Sequence, residues 1–322
     1  MSILELRDLA VTYRTEAGPV PAVRGVNLVV EAGDTVGLAG ESGCGKSTIA
    51  AAILRLLPAG TQVEGQVLLE GEDVYAMKPG RLRAVRWTSA AIVFQGALHS
   101  LNPVQRVGEQ IEEAIILHGS PGRAAARARV GALLERVGIP AARAERYPHE
   151  MSGGQRQRVL IALALACEPK LLIADEPTTA LDVMVQAQVL ELLAELQRDH
   201  GLAMLFITHD LSVLTHTCAR LAVMYAGRII EHGASTEVFS APEHPYSAAL
   251  ADAFPVIGDP GSRMAPAGLA GDPPDPTSLP PGCPFHPRCV HASVQCREHD
   301  VQLGTVGADR SVACLHPRSR RG

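Results

Sequence analysis

Eight residues constrain this chain more than any others: Gly40-Glu41-Ser42-Gly43-Cys44-Gly45-Lys46-Ser47 fits G-x-x-x-x-G-K-[ST]. The run follows a short apolar stretch at 34–39 and precedes an apolar helical pattern at 46–57. A strand, a glycine-rich turn and a helix in that order form a phosphate cradle. The glycines let backbone N–H groups curl around phosphate oxygens, and the helix presents its positive end to them. Lys46 can then reach the outer phosphates, Ser47 can ligate Mg²⁺, and Thr48 follows on the same first turn. Such a loop commits the chain to a parallel α/β sheet.

The rest of the chain fits that commitment. Residues 3–13 and 20–31 alternate apolar and polar side chains and predict two antiparallel strands. Strands are expected at 66–70 and 90–94, and a helical segment rich in Ala, Arg and Glu at 107–147. A helix at 153–167, a strand at 170–174, a helix at 183–199 and a strand at 203–208 then restore a β-α-β-α rhythm. Leu171-Leu172-Ile173-Ala174 ends in Asp175 and Glu176, which places two acids at the carboxyl end of a strand, where α/β sheets bind ligands. Asp175 can hold Mg²⁺ through water, and Glu176 can polarise an attacking water.

Composition excludes several classes. A net charge of −5 offers no electrostatic case for nucleic acid as the main partner. No apolar run approaches the roughly 18–20 residues that span a bilayer. The first residues carry no signal region, so the chain is expected in the cytosol or docked on the cytosolic face of a membrane. Four of the seven cysteines, Cys283, Cys289, Cys296 and Cys314, lie in the last 40 residues, behind a Pro-, Gly- and Asp-rich stretch. Four thiolates from one short module can complete a tetrahedral site or a cubane cluster. The C-x₂₋₄-C knuckle typical of structural zinc is missing, which argues for something larger than one ion; free thiols, or zinc with His286 or His316, are the alternatives.

Met151-Ser152-Gly153-Gly154-Gln155 resembles the signature sequence of ABC ATPases, with Met in place of Leu. The resemblance extends over roughly residues 3–250. It implies that Tyr13 stacks on adenine and that Gln95 contacts Mg²⁺ and the attacking water. It likewise implies that Leu181-Asp182 is the D-loop and His209 the switch histidine near the γ-phosphate. Phe94-Gln95-Gly96-Ala97-Leu98-His99-Ser100-Leu101-Asn102-Pro103 and Tyr147-Pro148-His149-Glu150 carry it further. So do His244-Pro245-Tyr246 and the tail Cys283-Pro284-Phe285-His286-Pro287-Arg288-Cys289. These are similar to the ATP-binding subunits of bacterial dipeptide/oligopeptide importers, in the peptide/nickel/opine group.

That resemblance implies a P-loop NTPase of ABC type with an antiparallel β subdomain, a helical subdomain (about 96–160) and a small cysteine-containing C-terminal module. The ATPase domain is expected over 1–253, a linker over 254–282 and the module over 283–322. It also implies ATP and Mg²⁺ bound between two such subunits closing head-to-tail, residues 152–155 of one facing the nucleotide held by Lys46 of the other. The partner subunit is expected to be a paralogue rather than a second copy, joined by two membrane permeases and an extracytoplasmic substrate-binding protein. In the cysteine module the resemblance points to a [4Fe–4S] cluster, with Zn²⁺ as the alternative. Nickel and opine importers remain alternatives, as do a soluble non-transport ABC ATPase and a non-catalytic cassette with a sensing tail.

Overall fold

The computed structural model describes residues 1–94, 100–119, 122–179, 181–253, 269, 271–307 and 309–320. Two long strands open the chain, β1 (Ser2–Thr15) and β2 (Gly18–Glu31), followed by β3 (Thr35–Ala39) and helix α1 (Lys46–Ile53). Next come β4 (Gln62–Leu69), β5 (Glu72–Asp73), α2 (Pro79–Thr88) and β6 (Ala90–Val93). Helices α3 (Val107–Gly119) and α4 (Arg123–Arg136) lead through 3-10 turns at Ala141–Glu145 and Pro148–Glu150 to α5 (Gly153–Ala164). Then follow β7 (Leu171–Asp175), α6 (Val183–His200), β8 (Ala203–Thr208), α7 (Leu211–Thr217), β9 (Arg220–Tyr225) and β10 (Arg228–Ala234). The chain finishes with α8 (Ser235–Ser240), α9 (Pro245–Asp252), a 3-10 turn at His286–Arg288, α10 (Val294–Glu298), β11 (Gly304–Thr305) and β12 (Ser311–Val312).

These elements form two compact units. The first comprises Met1–Leu4, Val30–Asp34 and Leu68–Leu205; the second comprises Glu5–Val29, Thr35–Val67 and Phe206–Gly322. In the first unit β6 and β7 pair in parallel, from Ala90↔Leu171 to Val93↔Ala174. A parallel strand is covered on both faces, which is why Leu171-Leu172-Ile173 is a continuous apolar run with no exposed member. The helical segment divides into α3 and α4. Each buries one stripe at helical spacing: Val107, Ile111, Ala114 and Ile115 in α3, and Ala126, Val130, Leu133 and Leu134 in α4. Helix α2, which sequence reasoning did not anticipate, kinks at its end, with Arg86 extended and Trp87 at φ 77°.

In the second unit the strand order is β11-β12-β10-β9-β3. Strand β3 runs parallel to β9, with Val36 opposite Arg220 and Ala39 opposite Val223. Strands β9 and β10 are antiparallel, with a register irregularity between Ile229 and Glu231. Strand β12 then adds to β10 through Glu231↔Val312 and His232↔Ser311. The cysteine-bearing tail therefore contributes strands to the sheet that carries β3. Leu38, Ile49, Ile53 and Leu221 are fully buried here, and each such side chain contributes about 1.5–3 kcal/mol. Among the described residues no helix is long and apolar enough to cross a membrane.

Candidate nucleotide site

The loop at Gly40–Ser47 leaves β3 and enters α1 through Gly45, which stands in the left-handed region at φ 106°. A Cβ at that position would lie 2.3 Å from the Ala22 carbonyl oxygen, so both the backbone conformation and the space demand glycine. Lys46 is buried, and its Nζ donates to the Gly40 carbonyl at 2.7 Å and the Glu41 carbonyl at 2.9 Å. Ser42, Gly43 and Ser47 are exposed, while Cys44 faces the interior, where burial pushes its thiol pKa up against the opposing pull of Lys46. Tyr13 on β1 reaches the same place: its hydroxyl donates to Thr48 Oγ1 at 3.1 Å. His209 belongs to the same unit. It is exposed at the end of β8, and Asp210 after it caps α7 by accepting from the Ser212 and Val213 amides.

The first unit holds the acids and the signature. Asp175 is buried at the carboxyl end of β7. Glu176 follows at φ 46°, a left-handed conformation rare for a residue with a side chain, and its Oε2 accepts from Thr179 Oγ1 at 2.8 Å. Backbone strain of this kind clusters where a side chain must be aimed. Ser152 caps α5: its Oγ accepts from the Gln155 amide at 3.3 Å, while Gln155 Oε1 accepts from the Ser152 amide at 3.1 Å. This reciprocal pair leaves Gly153 and Gly154 on the first turn. Asp182 caps α6 by accepting from the Val185 amide. Gln95 lies outside the described residues.

Comparison with known proteins then decides the family. Residues 23–179 match the model of the ABC transporter family, and residues 230–296 match the C-terminal region of oligopeptide/dipeptide transporters. The oligopeptide transport ATP-binding protein OppD of Salmonella typhimurium is 44% identical over 98% of this chain and 94% of its own length. The dipeptide transport ATP-binding protein DppD of Bacillus subtilis is 43% identical over 91% of this chain and 88% of its own. The chain belongs to the ABC transporter ATP-binding proteins, in their oligopeptide/dipeptide branch. Among solved structures, the dimeric ATP-binding cassette MJ0796, in a post-hydrolysis state bound to ADP and Pi, superposes with a TM-score of 0.65. It is 29% identical and covers 72% of this chain and 98% of that one.

The cysteines depart from expectation. Among the described residues, no group of three or more His, Cys, Asp or Glu side chains is arranged to hold a metal ion. The expected [4Fe–4S] cluster, or zinc in its place, thus finds no support in the side chains as placed. Ser293 Oγ lies 3.5 Å from Cys296 Sγ and 2.9 Å from His316 Nε2, and the His316 amide donates to Cys314 Sγ. Burial pushes the Cys283 thiol up to about 11, and the neighbouring Cys296, Cys314 and Cys289 push it in the same direction.

One contact escaped the sequence altogether. Arg288, between Pro287 and Cys289, forms a two-pronged ion pair with Glu41 of the phosphate loop. Nothing in the spacing of residues 247 positions apart signals it.

Proposed function

We infer that this ATP-binding protein hydrolyses MgATP in a head-to-tail pair of nucleotide-binding subunits and thereby powers import of di- or oligopeptides through membrane permeases. What carries the reading is the complete phosphate loop, with its buried lysine, in a chain 43–46% identical to relatives named for oligopeptide or dipeptide transport. In it Gly40, Ser42, Gly43, Cys44, Gly45, Lys46, Ser47 and Thr48 embrace the phosphates, and Tyr13 stands at the adenine. Ser152, Gly153, Gly154 and Gln155 act on the partner subunit's nucleotide, beside Asp182. Mg²⁺, when bound, would offset the charge of the phosphates. Ser47, Gln95 and Asp175 are its proposed oxygen ligands, and the buried carboxylate of Asp175 suits a hard cation. Glu176 takes the proton of the attacking water, aided by Gln95, and His209 steadies the γ-phosphate.

The second subunit is a paralogue in this reading, and two permeases and an extracytoplasmic binding protein complete the assembly at the cytoplasmic face. Residues 1–253 supply the ATPase, 254–282 the linker and 283–322 the terminal module. For the cysteines, the [4Fe–4S] expectation rests on their spacing and on family resemblance, and no step here depends on it. Anaerobic purification decides it: a brown protein with about four irons per chain supports a cluster, and a colourless one without iron ends it.

Glu176→Gln tests the central step. It should lower ATP turnover by about 10²–10⁴-fold, the usual share of a general base, while MgATP still binds. Lys46→Ala should instead weaken nucleotide binding itself. Turnover at the parental rate in Glu176→Gln would remove Glu176 from the role.

A further inference from the structure

The segment 283–289 does more than carry two cysteines. Phe285 is buried and meets Tyr246 edge-on, with ring centroids 5.4 Å apart, and Tyr225 at 5.3 Å. Those aromatic contacts seat the 3-10 turn His286–Arg288 against the loop that leaves β3. From this turn Arg288, its side chain only 6% exposed, sends Nη1 to Glu41 Oε2 at 2.7 Å and Nη2 to Glu41 Oε1 at 2.9 Å. Its Nη1 also donates to the Tyr225 hydroxyl at 3.4 Å.

Glu41 is thereby fastened at every polar group. Its amide donates to the buried Tyr246 hydroxyl at 2.9 Å, its carbonyl accepts from Lys46 Nζ, and both carboxylate oxygens accept from Arg288. A carboxylate one residue into a loop meant for a triphosphate is an electrostatic liability, because its charge repels the ligand across a short distance. A planar guanidinium that grips both oxygens removes that liability in two ways. It offsets the charge, and it fixes the direction in which the carboxylate points. A loop held in one conformation before its ligand arrives also binds at a lower ordering cost.

We propose that Arg288 of the C-terminal module is a positioning residue for nucleotide binding, holding Glu41 so that the loop at Gly40–Ser47 is pre-formed and its one carboxylate is neutralised. The module is then part of the nucleotide site by way of this brace. The proposal rests on the reading of that loop as an ATP site.

The test is MgATP affinity of the full-length chain by calorimetry, with thermal unfolding of each variant alongside. Arg288→Ala should weaken binding by about five- to tenfold, the lower range of coupling between linked sites. Glu41→Gln placed in that background should restore most of the loss, since no bare carboxylate then faces the phosphates. Arg288→Lys keeps the charge and the packing stem but loses the fork. It should fall between the two, and it serves as the variant of record should Arg288→Ala not fold. Parental affinity in the Arg288 variants, with binding weakened in Lys46→Ala, would overturn the brace and leave the ATP site standing. Weakened binding that Glu41→Gln fails to restore would also overturn it, because the effect would then come from a loosened module. Parental binding in Lys46→Ala would overturn the ATP-site reading and the brace with it.

Discussion

Alanine at Gly45 and alanine at Gly43 are the same chemical change with unequal consequences. Both glycines have left-handed backbones, at φ 106° and 81°, so either substitution carries a conformational cost of about 1–2 kcal/mol. At Gly43 the new methyl meets nothing within 4 Å, whereas at Gly45 it meets the Ala22 carbonyl at 2.3 Å. Gly45→Ala should therefore unfold at a clearly lower temperature than Gly43→Ala, in matched thermal scans. Equal midpoints would show that the loop at Gly45 relaxes freely. Residue types alone revealed Lys46, Asp175 and Glu176 as candidates, because each belongs to a local pattern in which chemistry dictates the spacing. The partner of Glu41 was illegible for the opposite reason: its position depends on a tertiary contact that no local pattern encodes.

Elements were legible where an apolar run met a firm stop. Strand β8 occupies 203–208 as its composition predicts, closed by His209-Asp210, and β7 and α6 fall within a residue of expectation. Helix α1 is shorter than its pattern because Leu54 caps it and Arg55 turns the chain at φ 50°. The segment at 107–147 reads as one helical stretch, but Gly119 and Gly122 bound two helices, a break that composition rich in Ala and Arg masks. Strands β11 and β12, two residues each, are too short to show any alternation. The caps are the most readable devices, and Ser152 is one of them. Ser152→Ala removes the acceptor for the Gln155 amide and should cost the start of α5 about 1 kcal/mol. Hydrogen exchange at the first turn of that helix should quicken by roughly fivefold, since that energy is somewhat under one decade in an equilibrium. Unchanged exchange there would mean that Gln155 or solvent replaces the cap.

On the scale of the whole molecule, the last strands and the sheet of β3 are one structure within the second unit. Glu231 on β10 is fully buried and accepts from Arg310 at 2.7 Å and from the Glu243 and His244 amides at 2.8 and 2.9 Å. Arg310→Ala strands a buried carboxylate and should cost about 3–5 kcal/mol, seen as a large drop in unfolding temperature; Arg310→Ala with Glu231→Gln should recover part of it. A drop no larger than that of a surface substitution would show that the two amides suffice. The brace has a further consequence in time. A ribosome finishes Glu41 long before it reaches Arg288, 247 residues later. At about 5–20 residues per second the interval is roughly 12–50 s. Through that interval the nascent chain carries a fully encoded phosphate loop whose clasp has yet to be translated, so its full affinity for nucleotide waits on Arg288.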